Sequence, residues 1–234
     1  MSVFCGYTQE TVDFMWGIRF NNDREWFIPH KEIYQRAFLE PTKALADQVY
    51  RRIHEKYPDE PFLCKVSRIY RDARRLHGQG PYKDHLWFCI RTGDKDWTGK
   101  PSFYFEIAPE YYSYGMGFWC APPIMMQYYR KAIDQRPEEL RELVKKFNRQ
   151  KTFSLEGPEY AKSKGCPDPI LHPWYQKKSI NLEHTVPLDE KIYDAALAEE
   201  IIKGFESLMP FYRYFNAIAA SVPESEMPRR NVEE

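Results

Sequence analysis

Apolar residues recur at helical spacing through the first quarter of the chain, with polar residues between them. The pattern is clearest where Leu45, Val49 and Ile53 follow one another at intervals of four, because residues four apart share one side of a helix. Asn21-Asn22-Asp23 divides this part of the chain, since asparagine and aspartate favour turns. The helices predicted here cover residues 8–18, 29–39 and 41–56.

After residue 57 the pattern becomes that of β-strands. Apolar and polar side chains alternate in several short runs, and residues 86–90 are almost all apolar, which is typical of a strand covered on both faces. The links between the later strands are short and turn-like. We therefore expect these strands to pair antiparallel. The predicted strands cover residues 62–70, 84–91, 102–108 and 111–120.

Helical spacing returns after Pro122 and predicts helices over residues 124–135 and 137–149, followed by a late strand over 179–186. A long helix is predicted over 188–220, interrupted near Gly204 or Pro210. Residues 222–234 are rich in proline, glutamate and arginine and predict a disordered tail. Together these patterns predict a single α+β domain over residues 1–221. Its antiparallel sheet of about four to six strands is covered by amino-terminal helices and a long carboxy-terminal helix.

The composition limits the classes of partner and the cellular location that we expect for the protein. The 234 residues include 34 Lys and Arg against 34 Asp and Glu, so the net charge is zero and no long-range field attracts nucleic acid or an anionic membrane. No apolar run reaches the roughly 18 residues of a membrane span, and the first ten residues lack the pattern of a signal peptide. We expect a soluble cytoplasmic protein without a nucleic-acid or membrane partner. The oligomeric state stays open.

The chain carries few sequence motifs that indicate a reaction or a cofactor. The five cysteines are widely separated and form no C-x-x-C pair, which predicts free thiols and argues against a structural zinc site. The chain contains no phosphate-binding loop, no nucleophile-elbow motif and no zinc-protease motif. We therefore expect no metal and no cofactor, and the sequence does not decide whether the protein is an enzyme.

Three clusters, over residues 21–27, 68–75 and 81–84, combine cations, carboxylates and aromatic rings. In a chain without net charge, clustered arginines indicate either a pocket for an anion or an internal ion-pair lattice. Under the first hypothesis Arg24, Arg71 and Lys83 hold a small anionic or phosphate-bearing ligand, while Trp26 and Tyr82 stack against it. The predicted ligand-binding residues are Asn21, Arg24, Trp26, Arg68, Arg71, Arg74, Tyr82, Lys83 and Tyr104.

Two carboxylates, Asp72 and Glu106, are the candidate general bases if the site is catalytic. Asp72 would also orient an arginine. Arg68 shares its strand parity with the apolar side chains at 62, 64 and 66, so it is expected to point inward and to need a partner. A buried Arg68–Glu106 ion pair that joins two strands is the structural alternative to a ligand role.

Two weaker signals lie further along the chain. Ser113, Gly115 and Gly117 share one face of a predicted strand and would leave a trough for a helix or a ligand to fill. The basic loop Lys162-Ser163-Lys164-Gly165 could close over an anion, or it could be a solvated connection.

The rival hypothesis is a non-catalytic interaction or scaffold protein whose lattice of arginines and carboxylates is purely structural. Its partner surface would be an aromatic segment of the carboxy-terminal helix, although rings at helical spacing more often belong to a core. The direction in which the arginines point separates the two hypotheses. The aromatic segment of the carboxy-terminal helix consists of Phe211, Tyr212, Tyr214 and Phe215.

Several spaced blocks together resemble a known family. They are Asn-Asn-x-Arg-Glu-Trp-Phe from residue 21, Arg-Ile-Tyr-Arg-Asp-x-Arg from 68, Pro-Tyr-Lys from 81, Gly115-x-Gly117, Arg130-Lys131-Ala132-Ile133, Lys164-Gly165, and Lys177-Lys178-Ser179 after His172-Pro173. Over residues 12–180 this pattern is similar to the domain of unknown function 2461 family of conserved hypothetical proteins. The resemblance implies no particular activity, because even a known fold would not supply one.

Overall fold

The computed structural model describes residues 3–72, 74, 78, 80–93, 99–166 and 168–227. Six strands form one antiparallel sheet in the order β1-β2-β3-β4-β6-β5. The predicted α+β class, the antiparallel sheet and the long carboxy-terminal helix are confirmed. The strands are β1 (Phe62–Val66), β2 (Leu86–Thr92), β3 (Pro101–Ile107), β4 (Tyr111–Phe118), β5 (Ser154–Glu156) and β6 (Asn181–Pro187).

The helices follow the predicted periodicity closely in the middle of the chain. They are α1 (Gln9–Phe20), α2 (Arg24–Ile33), α3 (Glu40–Lys56), α4 (Pro123–Gln135), α5 (Pro137–Phe147), α6 (His172–Tyr175) and α7 (Ala196–Ser221). A π-helical segment, Tyr34–Leu39, connects α2 to α3, and a short 3-10 helix, Glu190–Tyr193, precedes α7. In the described part of the chain, no helix is both long and apolar enough to cross a membrane.

The chain divides into two compact units. The first unit comprises Met1–Ile90, Tyr104–Tyr114 and Thr185–Gly204, and the second comprises Arg91–Phe103, Gly115–His184 and Phe205–Glu234. All of the residues predicted for the ligand site belong to the first unit. The prediction of a single domain over residues 1–221 therefore stays a prediction.

The turn predicted at Asn21-Asn22-Asp23 is also the start of a helix that begins five residues earlier than expected. The Asp23 side chain accepts a hydrogen bond from the Trp26 N–H at 2.8 Å and so caps α2. Pro29 lies inside α2 and does not start a new helix. From Arg24 to Lys56 the chain is helical without a break, because the π-helical segment absorbs the irregularity between α2 and α3.

The carboxy-terminal helix α7 runs without the predicted interruption, and Pro210 lies inside it. Its apolar residues explain why the helix persists. Phe205 and Tyr212 pack on Phe103 of β3 with ring centroids 4.9 and 5.2 Å apart, and this burial outweighs the proline penalty of about 3 kcal/mol. Of the tail predicted at 222–234, residues 228–234 lie outside the described residues. Within the described part, the Glu226 carboxylate accepts a hydrogen bond from the Tyr128 hydroxyl at 3.2 Å.

The sheet presents one apolar face and one mixed face in the first unit. Phe105 and Ile107 are fully buried, and Phe88 of β2 stacks on Phe105 at 5.4 Å. Side chains of the opposite parity on β3, Tyr104 and Glu106, are only half-buried. The alternation predicted for β3 is therefore confirmed, and it leaves Glu106 on the more open face.

The small-residue trough predicted along β4 is not open. An added Cβ at Gly115 would collide with the Leu182 carbonyl oxygen, and one at Gly117 would collide with the side chain of Asn181. The neighbouring strand β6 therefore occupies the space that the sequence assigned to a helix or a ligand. The glycines serve close strand pairing.

Candidate functional site

A short antiparallel ribbon in the first unit brings the second and third sequence clusters together. Tyr70 pairs with Tyr82. The Arg71 N–H donates to the Pro81 carbonyl at 2.8 Å, and the Lys83 N–H donates to the Ile69 carbonyl at 2.7 Å. The ribbon places Arg71 and Lys83 in one neighbourhood although they are separated in the sequence.

The first cluster joins this ribbon through Asn22. Its side-chain amide donates to the Tyr82 carbonyl and accepts from the Tyr82 N–H, both at 2.9 Å. Arg71 Nε donates to the same carbonyl at 2.8 Å. Gly80 permits the arrangement, because a Cβ there would collide with the Asn22 side chain. All three clusters therefore meet at the main chain of Tyr82.

The two aromatic residues predicted to stack on a ligand pack against neighbouring rings of the chain. The Tyr82 side chain is only 5 % exposed, and its ring stacks on Phe27 at 4.2 Å. The Trp26 ring stacks on His30 at 3.9 Å and lies where a Cβ on Gly17 would be. Their aromatic character reflects the core, which the sequence pattern does not distinguish from a binding surface.

The chemical centre of the site is the Lys83 cluster, which we define as Arg68, Arg71 and Lys83 together with the Trp87 ring. Lys83 is half-buried, and its Nζ lies 5.6 Å from the centroid of the Trp87 ring. Burial, reinforced by the positive charges of Arg71 and Arg68, lowers the pKa of Lys83 to about 8, while Glu106 acts weakly in the opposite direction. Among the described residues, no carboxylate forms an ion pair with the Lys83 ammonium.

Arg68 does not point into the interior, and the predicted Arg68–Glu106 ion pair is absent from the described residues. Strand β1 ends at Val66, so the alternation of strand faces no longer applies at Arg68, which is exposed. The Glu106 carboxylate accepts a hydrogen bond from the Tyr111 hydroxyl at 2.6 Å instead. This leaves Glu106 with an uncharged partner on the mixed face of the sheet, which it shares with Tyr104.

The remaining predicted residues are exposed or form hydrogen bonds with residues close to them in the sequence. Asn21 caps the end of α1 by donating to the Gly17 carbonyl at 3.0 Å, and Arg24 is exposed in the first turn of α2. Asp72 accepts hydrogen bonds from the main-chain N–H and Nε of Arg74 at 3.0 and 3.2 Å. Asp72 thus orients an arginine as predicted, but that arginine is exposed. Ala73 and Arg75 of the second cluster lie outside the described residues.

Sequence reasoning missed an ion-pair network beside the Lys83 cluster. Arg19 Nε donates to Asp84 at 2.6 Å, and the Arg19 guanidinium also binds Glu110. Burial alone would raise the pKa of Asp84, but hydrogen bonds from His85, at 2.8 Å, and from Arg19 hold it well below its usual value. The acid that follows Lys83 in the sequence is therefore occupied by other partners. No local signal in the sequence predicts that Arg19 reaches it.

The second unit contains a cavity of about 380 Å³ between α4 and the end of α7. Its lining includes Lys131, Arg136 and Tyr214. The Tyr214 hydroxyl is buried and has no hydrogen-bond partner in the described structure, and burial raises the pKa of Tyr214. None of the predicted site residues lies here. Within the described ranges, no three His, Cys, Asp or Glu side chains are grouped as they would be in a metal site.

The comparison with known families agrees with the resemblance seen in the sequence. The profile of a family described as Conserved hypothetical protein (DUF2461) matches residues 10–214. A comparison with curated proteins gives no match. The family description names no activity, so the geometry of the side chains has to supply the functional argument.

Proposed function

We propose, from the premise that the chain belongs to the DUF2461 family of conserved hypothetical proteins, that it binds a small anionic ligand at the Lys83 cluster. The observation that supports this proposal is a half-buried lysine that lies near two arginines and has no ion-paired carboxylate among the described residues. Gathering like charges costs free energy unless a counter-charge completes the group. A carboxylate or phosphate group from a ligand would provide that counter-charge.

The surroundings of Lys83 suit such a ligand. The hydrogen bond from Nε of Arg71 to the Tyr82 carbonyl fixes the direction of the guanidinium, and its remaining N–H groups can bind an anion in the forked manner typical of arginine. The ring of Trp87 is half-exposed and offers a flat apolar surface to the uncharged part of the ligand.

Glu106 is the candidate general base if the site is catalytic. It lies on the same mixed face as Trp87, bears on the charge state of Lys83, and is hydrogen-bonded to Tyr111. A carboxylate that lies beside the uncharged part of a bound ligand can act as a general base. We propose binding alone, because the described contacts of Glu106 do not select one reaction type.

The scaffold hypothesis is the second candidate, and the Arg19 network supports it. Arg19, Asp84 and Glu110 form a lattice that needs no ligand. However, Phe211, Tyr212 and Phe215 of the proposed partner surface are each less than 5 % exposed. They belong to the core of the second unit and do not form an exposed surface for a partner.

Anion titration of matched lysine variants tests the proposal. Lys83→Met should weaken the binding of a small dicarboxylate, measured by calorimetry, by roughly tenfold or more. Lys65→Met is the control, because Lys65 is an exposed lysine on β1 of the same unit. Equal affinities in the two variants, or no binding by the wild type, would overturn the proposal.

Arg71→Lys separates the two candidate functions. Under the ligand proposal this variant keeps the charge but loses the fork, so anion binding weakens while the melting temperature changes little. Under the scaffold hypothesis the melting temperature falls strongly and the affinity for anions is the same as in the wild type.

A further inference from the structure

A second group of cations converges in the second unit, around the ring of Tyr160. The Lys164 Nζ lies 4.3 Å from the ring centroid, the Arg130 guanidinium carbon 5.0 Å and the Lys178 Nζ 5.6 Å. Arg130 Nη2 also donates to the Tyr160 hydroxyl at 3.4 Å. We call Arg130, Tyr160, Lys164, Gln176 and Lys178 the Tyr160 cluster.

Main-chain pairing between two loop segments builds the Tyr160 cluster. Glu159 pairs antiparallel with Lys177, and the Tyr160 N–H donates to the Gln176 carbonyl at 3.0 Å. Because side chains alternate along such a pairing, Tyr160, Gln176 and Lys178 share one side. The Lys164 N–H donates to Gln176 Oε1 at 2.8 Å and brings the basic loop to that side.

Lys177 lies on the opposite side of the pairing and has partners for its charge. It is 7 % exposed, and its Nζ binds both the Glu159 carboxylate and the Gly157 carbonyl at 3.0 Å. By contrast, no described carboxylate forms an ion pair with Arg130, Lys164 or Lys178. The difference is confined to one side of the same short ribbon.

Two buried donors in the Tyr160 cluster also have no hydrogen-bond partner within the described structure. They are Nη1 of Arg130 and Nε2 of Gln176, and Gln176 as a whole is only 6 % exposed. A buried donor without a partner costs about 1 to 3 kcal/mol. A cation–π contact contributes only about 0.5 to 1 kcal/mol at exposed sites. Ring contacts alone therefore do not account for the arrangement.

We propose that the Tyr160 cluster binds a phosphate group. The anion would lie against Arg130, Lys164 and Lys178 and accept a hydrogen bond from Gln176 Nε2. A doubly charged tetrahedral group fits three cations better than a carboxylate does, because it offers more charge and more acceptor oxygens. The group can come from free inorganic phosphate or from a phosphate monoester. This site is independent of the Lys83 cluster, since it uses different residues in the other unit.

The test uses full-length protein carrying Lys83→Met, so that the Lys83 cluster does not contribute. In this background, inorganic phosphate should raise the melting temperature and acetate should not, because a ligand bound by the folded state alone stabilises it. Lys164→Ala should weaken the apparent phosphate affinity about tenfold. Lys162→Ala removes the same charge from an exposed position in the same loop and should leave the affinity unchanged.

Gln176→Glu adds a negative charge to the Tyr160 cluster, whereas Lys164→Ala removes a positive one. Its carboxylate would supply the missing counter-charge from within the chain, so the variant should melt at a higher temperature without phosphate and should no longer respond to it. Equal phosphate responses of Lys164→Ala and Lys162→Ala, or a response to phosphate in Gln176→Glu equal to that of its parent, would overturn the proposal. If Gln176→Glu does not fold, the two surface lysine variants decide the question alone.

Comparing inorganic phosphate with a small phosphate monoester, such as glycerol phosphate, identifies the source of the group. Tighter binding of the ester points to a phosphorylated metabolite or residue, and equal binding points to phosphate itself. Absence of binding by either would overturn the proposal. Changes in the amide resonances of Lys164 and Gly165 on titration would locate the bound anion at this loop.

Discussion

The Lys83 cluster and the Tyr160 cluster gather similar side chains by different means. In the first, main-chain hydrogen bonds at Tyr82 hold the ribbon, and the Tyr82 ring is stacked in the core on Phe27. In the second, Tyr160 is half-buried, and the lysines at 164 and 178 are exposed. Under the two proposals, the first arrangement is preorganised for a small ligand of fixed shape. The exposed lysines of the second would also accept a phosphate group attached to a larger molecule.

Paired tyrosine variants give the largest expected difference between the two clusters. Tyr82→Ala should lower the free energy of unfolding by about 3 to 5 kcal/mol, because it removes a buried ring from the core. Tyr160→Ala should cost only about 1 kcal/mol, because it removes cation–π contacts at a half-buried position. Urea unfolding measures both values. Similar losses in the two variants would show that the clusters are held equally firmly.

The hydrogen bonds between the Asn22 side chain and the Tyr82 main chain give the next largest effect. Asn22→Ala removes two hydrogen bonds to Tyr82 and should cost about 1 to 3 kcal/mol, since the Tyr82 N–H loses its partner and the carbonyl keeps only the bond from Arg71. Asn21→Ala, the neighbouring control, loses one exposed bond to Gly17 and should cost less. Thermal unfolding compares them. A smaller loss of stability in Asn22→Ala than in Asn21→Ala would show that the hydrogen bonds from Asn22 do not hold the Lys83 cluster in place.

The pH dependence of stability gives the smallest effect and concerns Lys83 alone. Its pKa in the folded protein, about 8, lies below the ordinary value of 10.5. Between these pH values the unfolded chain binds the proton more tightly, so this lysine makes stability rise with increasing pH. Lys83→Met should lack that increment, and the difference between wild type and variant isolates it from other titrating groups. A difference that is flat between pH 7 and pH 10.5 would contradict the assigned surroundings of Lys83.

Adding a saturating anion sharpens the same measurement. A ligand bound at Lys83 favours the charged form and raises its pKa toward the ordinary value. The increment of stability above pH 8 should therefore shrink in the wild type, while the pH dependence of Lys83→Met, which lacks the increment, should not change. Phosphate bound only at the Tyr160 cluster would leave it unaltered.

Local pattern was sufficient for most of the secondary structure. Residues 102–108 alternate so regularly that the buried and open sides of β3 follow from the sequence. It was insufficient where two local rules competed. Pro210 predicted a break in α7, yet Phe205, Tyr212 and the other apolar residues keep the helix continuous through packing.

For the Lys83 cluster, the sequence identified most of the cations and misjudged their surroundings. Lys83 and Arg71 were predicted to come together, and the ribbon at Tyr82 places them so. The Tyr82 ring, which was predicted to stack on a ligand, is buried against Phe27, because a buried ring and a ligand-facing ring have the same sequence signature. Arg68 was misplaced because the strand ends two residues before it.

By itself, the sequence determined the order of the helices and strands other than β5 and α6, the antiparallel pairing of short-linked neighbours and the mixed face of β3. These features depend on contacts between nearby residues. Tertiary structure decided which charges pair with one another in the described part of the chain. Asp84 is next to Lys83 in the chain but binds Arg19, and Arg130 meets Tyr160 across thirty residues. Partner choice among charges depends on distances set by the whole packed fold, which no local pattern contains.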